Sequence, residues 1–269
     1  MLSTAKDWLR RLMDESRSAQ LDHVDLLING AVLPVSLLPA LLELTPAPSC
    51  VWLFEQTPEK QLAHQGPVLV RIALDSQAQC AQTAQLLEAV HPHFCVLALI
   101  SRWPFDDLAA HLRGATQATW NKGANCGVLR YYDTRLFRHF CEQLDPQQLV
   151  LFHAPVIQWH WIDHDAKAAV LSGYDSRPHQ QPAQTGMSMT NEQVLHMQAV
   201  SAAIQWVRVY AKTPREHGFT SHETMIRCLV GVHLEISRQR LEKPRHDDFI
   251  ASALSEHGPL TLTFNEPLS

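Results

Sequence analysis

Apolar residues along this chain follow two spacings, and the changes between them divide it into predicted elements. Three short segments are rich in apolar, mostly branched side chains and are bounded by turn residues, which is typical of strands. They are Val24 to Ile28, Val68 to Leu74 and Phe94 to Ser101. Helical spacing follows the second of them, from Gln77 to Val90. This alternation predicts an α/β layered domain with a mixed central sheet flanked by helices.

Further elements surround this pattern. An amphipathic helix comes first, with Leu2, Trp8, Leu9 and Leu12 at helical spacing. The remaining predictions are a helix over Pro34 to Leu44, a well-buried strand over Cys50 to Phe54, a helix over Phe105 to Leu112, a helix from Asp145-Pro146 to Leu151, and a hairpin of Ile157 to Ile162 with Lys167 to Leu171.

The stretch from Gly127 to Phe140 changes from strand-like alternation to helical spacing at Asp133. A carboxylate at that junction can accept hydrogen bonds from the free N–H groups of the first helical turn. Arg130 and Arg135 flank it, which predicts a local Arg–Asp–Arg cluster at a strand-to-helix corner. A capped helix with ordinary surface arginines explains the same residues, and both interpretations stay open.

A change of composition divides the chain. Residues 172–188 are rich in Pro, Gln, Ser and Gly, with almost no large apolar side chain, and are typical of a linker. We therefore predict an α/β domain over residues 1–171, a linker over 172–189 and a smaller all-helical C-terminal lobe over 190–269.

Capping patterns organise the C-terminal lobe. Thr190 with Gln193, and Thr220 with Glu223, have the spacing of capping boxes and predict two helix starts. A third helix is predicted over Arg245 to Leu254, so that three helices can pack as a small bundle.

Composition and charge narrow the functional classes. The chain has 269 residues, 46% of them apolar, with a net charge of −5. Its basic residues are scattered, which argues against a nucleic-acid or anionic-membrane partner. Charges interrupt the first twenty residues, and no apolar run approaches the roughly 20 residues that cross a bilayer. We expect a cytoplasmic protein whose six widely spaced cysteines are buried, reduced thiols.

One polar cluster suggests a metal site. His160, Asp163 and His164 carry ligand types that suit zinc or iron, and their run is loosely similar to the H-x-H-x-D-H motif of binuclear metallohydrolases. The spacing departs from that motif, because Gln158 occupies the first histidine position. A strand followed by a polar turn explains the same residues. With no nucleophile, Walker or dinucleotide motif in the chain, we expect no catalytic residue, no metal and no cofactor.

Tryptophans form the second unusual feature. Trp159 and Trp161 are two residues apart on a predicted strand, in a chain with seven tryptophans. Core packing is the simplest interpretation, and a groove for a protein partner is the alternative. The run Cys228 to Val232 is nearly apolar, so it is either enclosed by the bundle or covered by another protein.

Several motifs together resemble a known family, the adaptor chaperones of the bacterial type VI secretion system, first catalogued as a domain of unknown function. The resemblance covers about residues 24–165. It departs from the family at Thr134, where proline is usual, and at Ala166, which replaces a glycine. The matching residues are Leu26 to Ala31, Gly66 to Leu69, His111 to Arg113, Trp159-x-Trp161 and, most specific, Arg130 to Arg135.

The resemblance implies a non-enzymatic factor that binds a toxic effector in the cytoplasm and loads it onto a VgrG spike or a PAAR-type tip. The α/β lobe would serve the shared adaptor function, and the helical lobe with the linker would form a cleft for the effector. Two alternatives remain: a metal-dependent hydrolase using His160, Asp163 and His164, or an immunity-like protein that neutralises a toxin. The expected site residues are Arg130, Tyr132, Asp133, Arg135, Trp159 and Trp161 at the corner, and Trp206, Tyr210, Ile226, Leu229 and Val230 in the helical-lobe cleft.

Overall fold

The computed structural model describes residues 5–33, 37–90, 95–177, 186–210, 212–242 and 245–257. The chain divides into two compact units, Met1–Gln193 and Val194–Ser269. Of the predicted linker, residues 172–177 and 186–189 are described, whereas 178–185 lie outside the described residues, so the linker stays a prediction.

The first unit contains both strands and helices, and every described element of the second unit is helical. The strands are β1 (His23–Asn29), β2 (Ser49–Trp52), β3 (Pro67–Ala73), β4 (Val96–Ile100), β5 (Gln117–Trp120), β6 (Asn125–Val128), β7 (Gln158–Ile162), β8 (Ala168–Ser172) and β9 (Met187–Ser188). The α-helices are α1 (Ala5–Ser18), α2 (Leu37–Leu42), α3 (Gln77–Val90), α4 (Phe105–Ala115), α5 (Thr134–Gln143), α6 (Pro146–His153), α7 (Asn191–Tyr210), α8 (His222–Gln239) and α9 (His246–His257). Short 3-10 helices cover Gly30–Val32, Leu53–Gln56, Lys60–Gln65 and Pro214–His217.

The α/β fold class is confirmed, with a large sheet of strand order β2-β3-β1-β4-β7-β8. Its pairing differs from the mixed sheet that the strand–helix rhythm suggested, because every neighbouring pair is antiparallel. The helix α3 does connect two strands of the same direction, β3 and β4. Since β1 lies between them and runs antiparallel to both, the two strands are parallel without being neighbours.

One face of the large sheet is covered by the first three helices. Trp8 and Leu12 of α1 and Leu86 of α3 belong to a core cluster with alternate residues of the strands. Those strand residues include Val24, Leu26 and Ile28 of β1 and Val68, Val70 and Ile72 of β3. The helical spacing that predicted α1 and α3 therefore marks the faces that they bury. The intervening strand residues point to the opposite face, which α5 and α6 cover with aromatic rings.

Two regions of the first unit differ from the sequence prediction. β2 is a half-exposed edge strand and not a well-buried one, because it ends at Trp52 and the chain turns into a 3-10 helix that buries Leu53 and Phe54 instead. A second, three-stranded sheet of order β6-β5-β9 was not predicted. Its strand β9 comes from the predicted linker and pairs in parallel with β5.

Helix starts in the C-terminal region are set by side-chain caps, one of them displaced from its predicted position. Thr190 and Gln193 exchange the predicted pair of hydrogen bonds, 2.8 and 3.1 Å long. The cap of α8 is Ser221, which pairs with Thr224, and not Thr220 with Glu223. Ser221 takes this role because its extended backbone lets its hydroxyl oxygen accept from the Thr224 N–H at 3.1 Å. α8 packs along α9 in the second unit.

The six cysteines are unpaired. Cys95 and Cys141 are buried as predicted, whereas Cys50, Cys80 and Cys228 are only partly buried. Cys126 is exposed because it lies on β6, an edge strand of the small sheet. Burial raises the pKa of the Cys95 thiol to about 12. Among the described residues no helix is both long enough and apolar enough to span a bilayer.

Candidate functional site

The predicted corner joins a turn, and not a strand, to a helix, because β6 ends at Val128 and residues 129–133 belong to no strand. Asp133 caps that helix. Asp133 has an extended backbone and precedes α5, and its Oδ1 accepts a hydrogen bond from the backbone N–H of Arg135 at 3.2 Å. The carbonyl oxygen of Asp133 also accepts from the N–H groups of Leu136 and Phe137, at 2.8 and 3.0 Å. The carboxylate therefore supplies an acceptor that the first helical turn lacks, as the sequence predicted.

The two flanking arginines contribute unequally to this corner. Arg135 binds both carboxylate oxygens of Asp133, from Nε at 2.8 Å and from Nη2 at 2.6 Å. Arg130 approaches Oδ2 at 3.4 Å. The side chains of Asp133 and Arg135 are 2% and 24% exposed, against 48% for Arg130. The predicted Arg–Asp–Arg cluster is thus a buried Asp133–Arg135 pair with a peripheral Arg130, and the hydrogen bonds to Asp133 raise the pKa of Arg135.

Two tyrosines anchor the corner to the fold. The hydroxyl of Tyr131 donates to the carbonyl oxygen of Leu112 at 2.8 Å, and burial raises the pKa of Tyr131 well above its usual value. The ring of Tyr132 packs edge-on against Phe54, with 6.2 Å between centroids. Both tyrosines are buried, so Tyr132 is part of the interior of this unit.

The predicted tryptophan pair lies in the aromatic core between the sheet and the two helices that follow the corner. Trp159 stacks on Phe152 of α6, and the centroids of these parallel rings are 5.3 Å apart. The ring centroid of Phe137 in α5 is 5.1 Å from those of both Trp159 and Trp161. Phe140 closes the cluster, 4.9 Å from Phe152. Both tryptophans are buried, so their place in this structure corresponds to core packing and not to an open groove.

The polar residues of the metal hypothesis have different neighbours. His160 points to the face covered by α1, where its Nε2 lies 3.0 Å from Oε2 of Glu15, and burial lowers its pKa. Asp163 lies in the turn after β7, and its Oδ1 accepts from the N–H groups of Asp165 and Lys167. His164 has Nε2 at 3.1 Å from the carbonyl oxygen of Arg135. The turn therefore supports the corner, and the three residues do not converge on one point.

A second buried ion pair was not predicted. Asp25 of β1 and Arg71 of β3 lie directly opposite each other, and the guanidinium donates to both carboxylate oxygens at 2.7 and 2.8 Å. Arg71 also donates to the carbonyl oxygen of Trp103 at 3.0 Å and lies 5.5 Å from the ring centroid of Phe105. Burial raises the pKa of Asp25, and Arg71 opposes that shift. In the sequence, the feature that could have indicated this pair is one acidic and one basic residue, each inside an otherwise apolar predicted strand.

The expected cleft residues of the helical lobe divide into two groups. Ile226, Leu229 and Val230 of α8 are buried, which accounts for the apolar run without a further protein. Trp206 and Tyr210 of α7 lie nearer the surface, with Tyr210 46% exposed and their ring centroids 5.0 Å apart.

The exposed end of α7 is tied down within its own unit. The hydroxyl of Tyr210 donates to Oδ2 of Asp247 in α9 at 3.1 Å, and this bond raises the pKa of Tyr210. The ring of His217 lies 6.4 Å from that of Trp206, and Val209 next to them is 61% exposed. This surface, Trp206, Val209 and Tyr210, is called the α7 aromatic surface below.

Comparison with known proteins gives a family match. The model of the family described as a domain of unknown function (DUF4123) matches residues 26–150. The matched segment runs from β1 into α6 and includes the whole corner, whereas Trp159 and Trp161 lie beyond it. No curated protein and no solved structure matches the chain.

Proposed function

We propose that this chain is a non-catalytic adaptor chaperone that binds a type VI secretion effector in the bacterial cytoplasm and promotes its loading onto a VgrG or PAAR-type spike protein. The match of residues 26–150 carries the proposal, because the DUF4123 family is associated with type VI secretion effector adaptors. Within that segment lies Arg130 to Arg135, the run most specific to the resemblance.

The geometry of the corner supports a structural role for that run. Asp133, Arg135 and Tyr132 bond or pack inside the first unit, where a protein partner cannot reach most of their surface. The shared motif then maintains the lobe, and recognition falls to groups that are exposed. The α7 aromatic surface is one such group, since aromatic side chains give large contact areas for little loss of conformational entropy.

The three residues of the hydrolase alternative are not brought together in the described part of the chain. His160 faces Glu15, whereas Asp163 and His164 lie in a turn that supports the corner. An immunity-like role would also use protein contacts, so the part of the effector that is bound distinguishes it from an adaptor.

The test begins with capture of the effector. The full chain carries an affinity tag in its source bacterium, and we expect it to co-purify with one effector at a fixed ratio. Truncations of that effector should place the bound segment outside its toxic domain, and toxicity should persist in the complex. Binding to the toxic domain with loss of toxicity would instead favour an immunity-like protein.

A matched pair of variants makes the test specific for the α7 aromatic surface. Tyr210→Ala removes an exposed aromatic ring from that surface, and Leu62→Ala removes an exposed apolar side chain elsewhere. We expect the first to weaken effector binding by about tenfold and the second to leave it unchanged. Equal binding by both variants would remove the α7 aromatic surface from the proposal.

A further inference from the structure

Among the described residues, the last strand of the large sheet, β8, pairs with one neighbour, β7. Two backbone hydrogen bonds show which residues of β8 bond to β7. The N–H of Asp163 donates to the carbonyl oxygen of Lys167 at 2.8 Å, and the N–H of Gly173 donates to the carbonyl oxygen of Ile157 at 2.9 Å. Hydrogen-bonded residues alternate along an antiparallel pair. Odd-numbered residues of β8 therefore bond to β7, and even-numbered residues turn their backbone groups away from the sheet.

The outward groups belong to Ala168, Val170 and Ser172. Within the described part of the chain, no backbone hydrogen bond uses their N–H or C=O groups. Val170 and Ser172 are exposed, and 38% of Val170 is accessible to solvent. These groups form a row with the spacing of a strand, about 6.6 Å from one outward residue to the next. Only another extended backbone has donors and acceptors at matching intervals.

The two edges of the sheet are protected to different degrees. The edge strand β2 has four residues, follows Pro46 and Pro48, and runs directly into a 3-10 helix. Prolines and short lengths are common devices that keep an edge from pairing with another chain. The five residues of β8, Ala-Ala-Val-Leu-Ser, contain no proline and no charge. This edge therefore lacks the protection that the other edge has.

Close backbone contacts and hydrogen bonds fix the segment that follows β8. Gly173 follows the strand so closely against the backbone of Val156 that a Cβ atom there would lie 1.9 Å from the Val156 oxygen. The N–H groups of Tyr174 and Ser176 then donate to His153 and Ala154, at 3.2 and 2.8 Å. Because the edge is already ordered, a partner strand that adds to it avoids part of the entropy cost of binding.

We propose that β8 is the docking edge for an extended segment of the effector, which joins the large sheet as a seventh strand. The inference rests on the proposed function and names its mode of recognition. Strand addition uses backbone hydrogen bonds, so it tolerates sequence variation in the added segment. The segment has about five residues and is uncharged where its side chains lie beside Val170.

One substitution separates docking from folding. The N–H of Val170 points away from β7, so Val170→Pro removes a hydrogen-bond donor that a partner strand would use. The hydrogen bonds between β7 and β8 are kept, because they do not involve this N–H. Val170→Lys places a charge on the same edge and keeps the N–H. Leu62→Lys makes the same chemical change at an exposed residue far along the chain, and serves as the control.

The experiment selects peptides on the full chain and needs no effector. Random twelve-residue peptides are displayed and selected on the wild-type protein, and bound peptides are then measured on each variant. We expect selected peptides to bind Val170→Pro and Val170→Lys at least about tenfold more weakly and Leu62→Lys equally well. Bound peptide should also slow hydrogen exchange at the amides of Val170 and Ser172.

Each other outcome contradicts the inference. Peptides that bind all variants alike, or a selection that yields none dependent on Val170, exclude strand addition at β8. If Val170→Pro fails to fold, Val170→Lys and the exchange rates decide. If the chain captures an effector and the Val170 variants bind it as well as the wild type does, the adaptor function stands and only the docking at β8 is excluded. If peptides bind at β8 but no effector is captured, strand addition at β8 stands and the adaptor function is excluded.

Discussion

The carboxylate of Asp133 accepts two hydrogen bonds from the guanidinium of Arg135 while it caps the helix to which Arg135 belongs. A single acidic side chain therefore fixes both the start of α5 and the position of a partly buried cation. Because α5 supplies Phe137 to the aromatic core under Trp159, the geometry of this pair is transmitted to the packing of the sheet. The corner is accordingly a determinant of the fold of the first unit.

Removal of Asp133 should therefore be costly. Asp133→Ala loses the cap and leaves Arg135 without its partner, which we expect to lower the free energy of unfolding by about 3 kcal/mol. Arg130→Ala is the matched control, since Arg130 is half exposed and 3.4 Å from the carboxylate, and we expect a loss below about 0.5 kcal/mol. Chemical denaturation measures both. Effector binding should fall with stability in Asp133→Ala; normal folding with lost binding would place the corner at the interface instead.

Substitutions of Asp25 and Arg71 should have non-additive effects on the free energy of unfolding. Arg71→Met leaves a carboxylate buried without its cation, and we expect a loss of about 3 kcal/mol. The double variant Asp25→Leu with Arg71→Met removes both charges and should recover most of that loss, because no unpaired charge then remains in the sheet. Denaturation of the two single variants and the double variant completes the cycle. Additive losses would show that the two residues act independently.

Two glycines predict opposite effects of the same change. Gly173→Ala drives a Cβ atom into the Val156 backbone and should destabilise the chain by about 2 kcal/mol. Gly231 lies in the middle of α8, and a Cβ atom there would meet nothing within 4 Å. Gly231→Ala should stabilise the chain by about 0.5 to 1 kcal/mol, because alanine has the higher helix propensity. Thermal unfolding of the two variants, compared with the wild type, tests the signs.

Buried histidines predict a loss of stability in acid. Burial lowers the pKa of His153 to about 4, below the value of about 6.5 expected for the unfolded chain. The unfolded state therefore binds the extra proton first, so stability is complete above about pH 6.5 and falls as the pH drops towards 4. We expect His153→Leu to reduce that fall by about 1 kcal/mol per pH unit. Unfolding free energies at pH 7, 6 and 5 give the slope, and an unchanged slope would show that His153 does not titrate in this range.

Local signals in the sequence predicted the elements that a local pattern of residues marks. The periodic segments of β1, β3, β4 and α3 and the cap at Asp133 needed only neighbouring residues, and the structure confirms them. The sequence predicted Thr220 with Glu223 at the start of α8, whereas the structure uses Ser221 with Thr224. Both pairs have a hydroxyl group and the same spacing, so the sequence pattern alone could not distinguish them.

Pairings between distant residues could not be predicted in the same way. Asp25 and Arg71 become a pair only through the register of β1 and β3. Met187 pairs with Ala118 of β5, which is far from it in the sequence. The strand β5 is only four residues long, so periodicity did not mark it, and the strand-like alternation that begins at Gly127 marked only the end of β6. The same dependence on register explains why the outward groups of β8, the candidate docking edge, were not visible in a segment predicted simply as half of a hairpin.

Effector secretion with and without this chain is the decisive measurement of the adaptor role. The gene for this chain is deleted in its source bacterium, and the effector and its spike protein are quantified in cells and in culture medium. We expect the effector to disappear from the medium while the spike protein is still secreted, and we expect the wild-type chain to restore effector secretion. Unchanged effector secretion in the deletion strain would rule out the adaptor role.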